Sequence, residues 1–470
     1  LMNLTPEAQS LAVIVLMVVV LWVTEALPLA ITALLGAVAC VLAGVAPAKE
    51  VFRPFADPLI FLFIGSFLLA EAIRIHKLDR RLAYAVLSLP LVGERPGRIL
   101  AAVAVVSAVI SAFISNTCTA AMMLAIVSGI LAAVDESSRL TQRPPAQRFA
   151  TGLHLCIAFS ASIGGLATPI GTAPNLIGLG FIRQQLGVDI SFFEWCLVGI
   201  PVVMVLTAFT VVLLNRMFSA GVERLEGVRR FVADERGRLG PWTTGQKSVL
   251  TAFAITVALW IGPGVSLAVL GPTHPLTAWF KTRMPEGVAA LIGAILLFIL
   301  PGGRWRAGWS PALEWSEARV DWGIVLLYGG GMALGELCFS TGLAGSFGDA
   351  MAAWVPGGEW AGVALVVMAT VVAVITSEFT SNAASANMVV PVVIALGLHT
   401  GGDNLVAALA ATFASSLGFM MPISTPCNAI VYGSGQVPLR AMMRSGAILD
   451  VVGAITIVVA MLAAARIAGW

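Results

Sequence analysis

Apolar runs of about 18–25 residues recur along the chain, with short polar segments between them. About 20 apolar residues are needed for a helix to cross the hydrocarbon core of a bilayer. Ten spans are therefore predicted, at 10–27, 29–46, 57–75, 151–187, 195–216, 248–270, 286–301, 322–340, 403–437 and 445–468. The pattern predicts an all-α polytopic membrane protein.

Two further apolar stretches, 99–134 and 360–397, carry a polar cluster in the middle. The cluster is Ser115-Asn116-Thr117 in the first stretch and Ser381-Asn382-Ala383 in the second. Each arm beside a cluster has roughly 15–18 residues, which is marginal for a full crossing. We interpret each stretch as a re-entrant helical hairpin whose tip lies at membrane depth.

Motifs of the first half recur in the second half. Each half is predicted to hold five spans and one hairpin, and an odd number of spans makes the second copy inverted. The predicted units are a first repeat at 1–216, a cytoplasmic linker at 217–247 and a second repeat at 248–470. The matches are Asp57 and Gly65 with Asp321 and Gly329, Ser111 and Ser115-Asn116 with Ser377 and Ser381-Asn382, and residues 169–175 with 422–428.

The distribution of basic residues predicts the orientation. With both hairpins re-entrant, loops on one side of the membrane receive 21 of the 27 Lys and Arg residues. The positive-inside rule places this Arg-rich side in the cytoplasm of a cell inner (plasma) membrane. The hairpin at 99–134 then enters from the cytoplasm and the hairpin at 360–397 from outside.

Composition agrees with a lipid environment. The chain is 59% hydrophobic and 11% charged, whereas soluble domains are about 25% charged. A soluble enzyme and a nucleic-acid binder are therefore excluded. The six cysteines form no CxxC pattern, and the sequence has no Cys/His cluster of the kind that binds a metal. It also has no recognisable nucleophile–base pair of the kind that an enzyme would need.

Two proline-containing segments at membrane depth, 167–175 and 421–428, predict broken helices. Unwound backbone is tolerated there only where it is buried in protein or lines a cavity. Its carbonyls, with Ser, Thr and Asn oxygens, are neutral oxygen ligands that suit Na⁺, and a helix N-terminus attracts an anion. Such polar residues often only join helices, but their repetition in register favours two half-sites with a divalent anion between them.

These motifs resemble the divalent anion/sodium symporter family, which carries dicarboxylates, citrate or sulfate. The resemblance rests on Ser115-Asn116-Thr117, on the loops at 168–172 and 422–428, and on the early helix at 22–28. It implies eleven spans, two re-entrant hairpins, a homodimer in the lipid bilayer, and an elevator-type movement. Ten spans are predicted here, so the first span of the family is expected to precede Leu1.

The resemblance also implies roles for individual residues. One Na⁺ would be held by Ser111, Ser115, Asn116 and the backbone of Gly171, and a second by Ser377, Thr380, Asn382 and the backbone of Ser424. The substrate would meet Asn116, Thr117, Thr172, Asn382, Ala383, Thr425 and Pro426.

The second tip departs from the family signature because Ala383 stands where a threonine is expected. A hydrogen bond to a charged group contributes about 1.5–3 kcal/mol. The loss would weaken one carboxylate contact, make room for a bulkier substrate, or mark a different anion such as sulfate. Ala173 and Cys427 also replace prolines that are common in the family.

The function predicted is Na⁺-coupled symport of a divalent anion, with a C4-dicarboxylate such as succinate as the first candidate. The alternatives within the same fold are Na⁺-coupled transport of sulfate or citrate, anion exchange, and a proton-driven carrier that uses Glu378 or Asp450. A more distant alternative is an anion channel.

Overall fold

Helices make up most of the computed structural model, which describes residues 4–140, 147–303, 310–352, 360–400 and 404–468. The helices of the first half are α1 (Pro6–Thr24), α2 (Leu29–Leu42), α3 (Ala48–Val51), α4 (Pro58–Ile75), α5 (Leu78–Leu87), α6 (Pro96–Ser111), α7 (Asn116–Leu140), α8 (Gln147–Gly164), α9 (Ala173–Phe181) and α10 (Phe192–Met217). The helix α11 (Val228–Arg238) follows in the predicted linker.

The second half repeats this order. Its helices are α12 (Thr244–Leu270), α13 (Pro275–Arg283), α14 (Glu286–Ile299), α15 (Trp322–Ser340), α16 (Leu343–Ala352), α17 (Ala361–Phe379), α18 (Asn382–Thr400), α19 (Asn404–Ala414), α20 (Pro426–Gly433) and α21 (Leu439–Ala468). Asp57 caps the N-terminus of α4 and Asp321 caps that of α15, which matches the repeat predicted from sequence.

Within the described residues, nine helices are long and apolar enough to cross a membrane, or ten if the bent pair α13 and α14 counts as one span. This confirms a polytopic all-α membrane protein, although several helices are shorter than the spans predicted from the sequence. The helix α2 has 14 residues, α14 has 14, and α19 has 11. Two hairpin arms, Asn116–Glu136 and Ala361–Phe379, themselves reach span length.

Both predicted tips separate two helices. The chain leaves α6 at Ser111 and starts α7 at Asn116, and it leaves α17 at Phe379 and starts α18 at Asn382. The helices on the two sides of each tip pack on each other. Both predicted broken helices are also present, because residues 165–172 interrupt the path from α8 to α9 and residues 415–425 interrupt the path from α19 to α20.

Several short helices lie outside the predicted spans, and α11 shows why they form. Val228 and Val232 are buried in the face that α11 packs against α5 and α7, while its arginines stay exposed. At the C-terminal end of α11, the Arg81 guanidinium donates to the carbonyls of Leu239 and Gly240, both at 2.9 Å. The predicted linker is therefore partly a packed helix.

The two halves interlock around the broken helices. The second-half hairpin helix α18 packs on α9 of the first half, and α20 packs on α7 and α8. Trp195 of α10 stacks on Phe413 of α19 with ring centroids 4.4 Å apart, and Phe159 contacts Phe419 at 5.3 Å. The unwound segments of both halves consequently meet in one region. The orientation in the membrane stays a prediction.

Close packing of α4 on α14 depends on Gly65. A Cβ atom at Gly65 would lie 2.6 Å from the backbone carbon of Ala290, which leaves no room for a side chain. By contrast, nothing lies within 4 Å of the Cβ position of Gly237 in α11.

We expect Gly65→Ala to destabilise the protein by about 1–3 kcal/mol, because the added methyl group forces the two helices apart. Gly237→Ala is the control, and it should be neutral or stabilising because alanine is the better helix former. Thermal unfolding of the purified variants in detergent measures both. Equal midpoints for Gly65→Ala and the unsubstituted protein would show that α4 does not pack this closely on α14.

Candidate functional site

Four helix N-termini meet at one cavity of about 400 Å³. The helices α7, α9, α18 and α20 begin at Asn116, Ala173, Asn382 and Pro426, and all four residues line the cavity. Two of these helices start at the hairpin tips and two start after the unwound segments. Each copy of the sequence repeat thus contributes two helix N-termini to the cavity.

The cavity brings together every residue predicted to contact the substrate. They come from both halves of the chain, although the two signatures are separated by more than half its length. The residues are Asn116, Thr117, Thr172, Asn382, Ala383, Thr425 and Pro426. Ser115 and Gly171, predicted at the first sodium site, also line the cavity.

The described lining of the cavity carries little side-chain charge. Among the described residues that line it there is no Lys, Arg or His, and the carboxylate present is that of Asp321, which caps α15 through the Ile324 amide at 3.2 Å. Each helix N-terminus carries roughly half a positive charge. Positive potential here therefore comes from backbone amides and not from basic side chains.

Two hydroxyl groups at the cavity remain unused by the protein. Thr425 caps its own helix by accepting from the Asn428 amide at 3.1 Å. Thr172 precedes α9 in the equivalent place but makes no side-chain cap. Among the described residues, neither Thr172 nor Thr117 has a side-chain hydrogen-bond partner, so both hydroxyls are free to bind a ligand.

An oxygen cluster lies behind the first tip. With its amide oxygen turned inward, Asn116 Oδ1 lies 2.6 Å from Ser111 Oγ and 3.3 Å from the carbonyl oxygens of both Gly171 and Ala161. In the opposite orientation, Asn116 Nδ2 donates to all three oxygens. This second orientation is the one that satisfies the hydrogen bonds, whereas with a cation bound the first orientation would present four neutral oxygens, the donor type that a hard cation takes.

The second tip repeats the contact between serine and asparagine, and there Asn382 Nδ2 donates to the Ser416 carbonyl at 3.4 Å. Ser377 Oγ lies 2.9 Å from both Asn382 Oδ1 and the Ser415 carbonyl oxygen, and its single proton can be donated to either. Ser424 is adjacent, and its hydroxyl donates to the Glu378 carbonyl at 3.0 Å. Thr380 Oγ1 donates to the Thr376 carbonyl at 3.0 Å, and its lone pairs stay available to a cation.

Two buried asparagines hold the unwound segments in shape. Asn175 Nδ2 donates to the carbonyls of Gly165 and Thr168, both at 2.8 Å. Asn428 Nδ2 donates to the carbonyls of Gly418 and Met421, at 3.0 and 2.9 Å. Each asparagine replaces two hydrogen bonds that the helix loses where it breaks.

Sequence reasoning missed Gly165 as a site residue. A Cβ atom there would lie 2.7 Å from Asn116 Oδ1, so any larger residue would displace the amide. The signal was present in the repeat, since Gly165 and Gly418 are separated by the same offset as Asn175 and Asn428. The carbonyls of Ala161 and Ser415 carry no such signal, because any residue type supplies one.

Comparison with known proteins gives a family. Residues 2–469 match the model of the sodium:sulfate symporter transmembrane region. The Staphylococcus aureus (strain USA300) sodium-dependent dicarboxylate transporter SdcS is 32% identical over 93% of this chain and 82% of its own length. The protein of the same name from Staphylococcus saprophyticus is 29% identical over 97% of this chain and 86% of its own.

Solved structures share the fold. The Alcanivorax borkumensis YdaH transporter superposes with a TM-score of 0.55 at 15% identity, over 89% of this chain and 87% of that one. Neisseria gonorrhoeae MtrF, from a class of antimetabolite efflux pumps, has a TM-score of 0.55 at 13% identity, over 90% and 83%. At these identities the likeness concerns the fold alone.

We expect Asn175→Asp to destabilise the first unwound segment, because a carboxylate cannot donate to the Gly165 and Thr168 carbonyls. A buried acceptor left without its donor costs about 1–3 kcal/mol. Asn428→Asp should have an effect of similar size in the second half. Thermal unfolding in detergent provides the measurement, with Asn215→Asp at the partly exposed end of α10 as the control. Unchanged midpoints for both core variants would show that the amides do not hold the breaks.

Proposed function

The chain belongs to the sodium:sulfate symporter family, and we propose that it is a secondary transporter that couples Na⁺ to the movement of a divalent anion. We further propose that the substrate is a C4-dicarboxylate such as succinate. The relatives named sodium-dependent dicarboxylate transporters support both the coupling ion and the substrate class.

One observation carries the proposal, namely the meeting of four helix N-termini at a cavity whose described lining has no basic side chain. A dicarboxylate has a negative charge at each end, and the helix starts come in two pairs, one from each half. Each carboxylate would meet one pair, with Asn116, Thr117 and Thr172 on one side and Asn382 and Thr425 on the other.

Helix dipoles alone do not balance a dianion in a protein interior, since burying an uncompensated carboxylate is costly. Na⁺ ions at the two oxygen clusters would supply the missing positive charge. Asn116 belongs to both the first cluster and the cavity wall, and Asn382 does so in the second half. The cation and anion sites therefore share residues, which supports coupling between their occupancies.

The proposed substrate contacts at the second tip differ from those at the first tip because of Ala383. This residue brings a methyl group to the cavity, whereas Thr117 brings a hydroxyl group at the first tip. Our proposal is that the asymmetry weakens one carboxylate contact without excluding a C4-dicarboxylate. Sulfate and citrate remain the competing substrates of the same fold.

For the transport movement we propose an elevator-type mechanism in a homodimer embedded in the plasma membrane, with the Arg-rich loops in the cytoplasm. The hairpins and broken helices of both halves pack on one another, which supports their movement as one unit. This unit would carry the cavity past the remaining helices, of which α4 with α14 and α2 with α15 form close pairs.

Uptake into proteoliposomes tests the function. We expect an inward Na⁺ gradient to drive accumulation of labelled succinate, and unlabelled dicarboxylates to compete. Replacement of Na⁺ by choline is the control. Succinate counterflow that persists without Na⁺ would indicate an exchanger, and Na⁺-driven uptake of sulfate or citrate without succinate uptake would move the substrate assignment to those anions.

We expect Asn116→Ala and Asn382→Ala each to lower the apparent affinities for Na⁺ and substrate together, because each removes an oxygen that both sites share. A lost hydrogen bond to a charged group corresponds to about 10–100-fold. Initial uptake rates at varied Na⁺ and succinate concentrations measure this, with Asn215→Ala as the control. Normal transport by Asn382→Ala would show that the second half-site is misplaced.

A further inference from the structure

A polar network joins the proposed moving unit to the remaining helices. Arg183, in the helical turn that follows α9, forms an ion pair with Asp57 Oδ2 at the start of α4. The Tyr328 hydroxyl of α15 donates to Asp57 Oδ1 at 3.2 Å. The two charged side chains are largely covered, with exposed fractions of 29% for Arg183 and 19% for Asp57. The network therefore connects a broken helix to two helices that the proposed movement leaves in place.

The residue after Arg183 makes a second polar contact across the same boundary. Gln184 Nε2 donates to Glu336 Oε2 of α15 at 2.9 Å. Packing next to these contacts is close, since a Cβ atom at Gly180 of α9 would lie 2.5 Å from the Tyr328 hydroxyl oxygen. The end of α9 is thus held against α15 by polar contacts and by close packing.

The second half has the carboxylate of this network but not its base. By the offsets that relate the two halves, Asp57 corresponds to Asp321 and Arg183 corresponds to Gln436. Both aspartates cap the helix that they precede, so this role is common to the two copies. Gln436 carries no charge and therefore cannot form an ion pair with Asp321. The ion pair is a property of the first half alone.

The cavity reaches the start of α15 but not the start of α4. Asp321 and Ile324 at the start of α15 both line the cavity, and Asp321 is exposed. Their counterparts in α4 are Asp57, which pairs with Arg183, and Ile60, of which 3% is exposed. Neither counterpart is among the described residues that line the cavity. Because the halves are inverted copies, access from the other side of the membrane would use the start of α4 in the same way.

We propose that Asp57, Arg183 and Tyr328 form a latch that keeps the cavity closed at the start of α4. The inference rests on the proposed elevator movement, in which α9 moves past α4 and α15. Such a movement separates Arg183 from Asp57, and it exposes Asp57 as Asp321 is exposed now. In the opposite arrangement Gln436 offers Asp321 no ion pair in exchange. The latch therefore favours the arrangement described here over the opposite one.

Three variants remove the ion pair while keeping the helix cap. Arg183→Gln copies Gln436, the residue that the second half has at the equivalent position. Asp57→Asn removes the charge, and asparagine caps a helix as well as aspartate does. The double variant leaves neither charge unpaired. The control is Arg53→Gln, which breaks the ion pair with Glu336 of α15, because Arg53 precedes α4 and both residues belong to the part that stays in place.

The opening of the gate is measured by a reporter cysteine, Ile60→Cys, carried by every variant and by the control. The purified proteins in lipid nanodiscs are exposed to a maleimide on both faces, and mass spectrometry follows the labelling of each cysteine separately. Cys156 is fully buried in α8, so its labelling reports unfolding and serves as the internal standard.

We expect the ratio of labelling at residue 60 to labelling at Cys156 to rise when the ion pair is removed. The expected factor is about 10–100-fold, the equivalent of one lost hydrogen bond to a charged group. The Arg53→Gln control should keep the ratio of the reporter protein without further substitution, since its ion pair does not cross the boundary.

An unchanged ratio in the three variants would overturn the latch, and with Na⁺-driven uptake intact it would leave the proposed function standing. A rise in both single variants that is absent from the double variant would also overturn it, because an unpaired charge and not the lost pair would then open the gate. An equal rise in Arg53→Gln would do the same. A raised ratio specific to the latch variants, in a protein that moves no divalent anion, would support the latch and refute the proposed function.

Discussion

The structure depends on satisfying backbone groups where helices break inside the membrane. An unpaired carbonyl or amide in a lipid environment costs several kcal/mol. Asn175 and Asn428 each donate to two carbonyls of an unwound segment, and the Trp195 indole donates to the Leu166 carbonyl at 3.0 Å. With these carbonyls bound by side chains, others such as those of Gly171 and Ala161 can point at a common position beside Asn116. The unwound segments are therefore stabilised by side chains, and in our proposal their remaining carbonyls are the Na⁺ ligands.

A second consequence concerns charge. Each break starts a new short helix, and these starts meet the starts of α7 and α18 at the same cavity. The arrangement concentrates partial positive charge, and the described lining has no basic side chain, whose full charge would attract an anion whether or not a cation was bound. A cavity of this kind makes anion affinity depend on the ions beside it, which is the physical basis for coupling in our account.

Much of this arrangement could be predicted from the sequence because it depends on local rules. Proline at 169 and 422 removes a backbone donor and so favours a break in the helix, and the Ser-Asn pairs at 115–116 and 381–382 stand out in otherwise apolar runs. The match between halves could be read without a structure. Family membership was also identified correctly from these motifs.

The rest could not be predicted, because it depends on which surfaces meet in three dimensions. No local pattern places the carbonyls of Ala161 and Gly171 at equal distances from the Asn116 amide. The helix α11 was missed because its apolar stripe consists of few residues in a charged segment. Helix lengths were overestimated for α2 and α19, since apolar residues continue beyond the point where the chain turns or unwinds.

We propose that cations and a divalent anion bind to one structure through shared residues. Isothermal titration of the purified protein with succinate, at increasing Na⁺ with choline making up the ionic strength, tests it most directly. We expect succinate affinity to rise steeply with Na⁺ and to be lost in choline alone, because Na⁺ and succinate each raise the affinity for the other. Succinate affinity that is the same at all Na⁺ concentrations would contradict it.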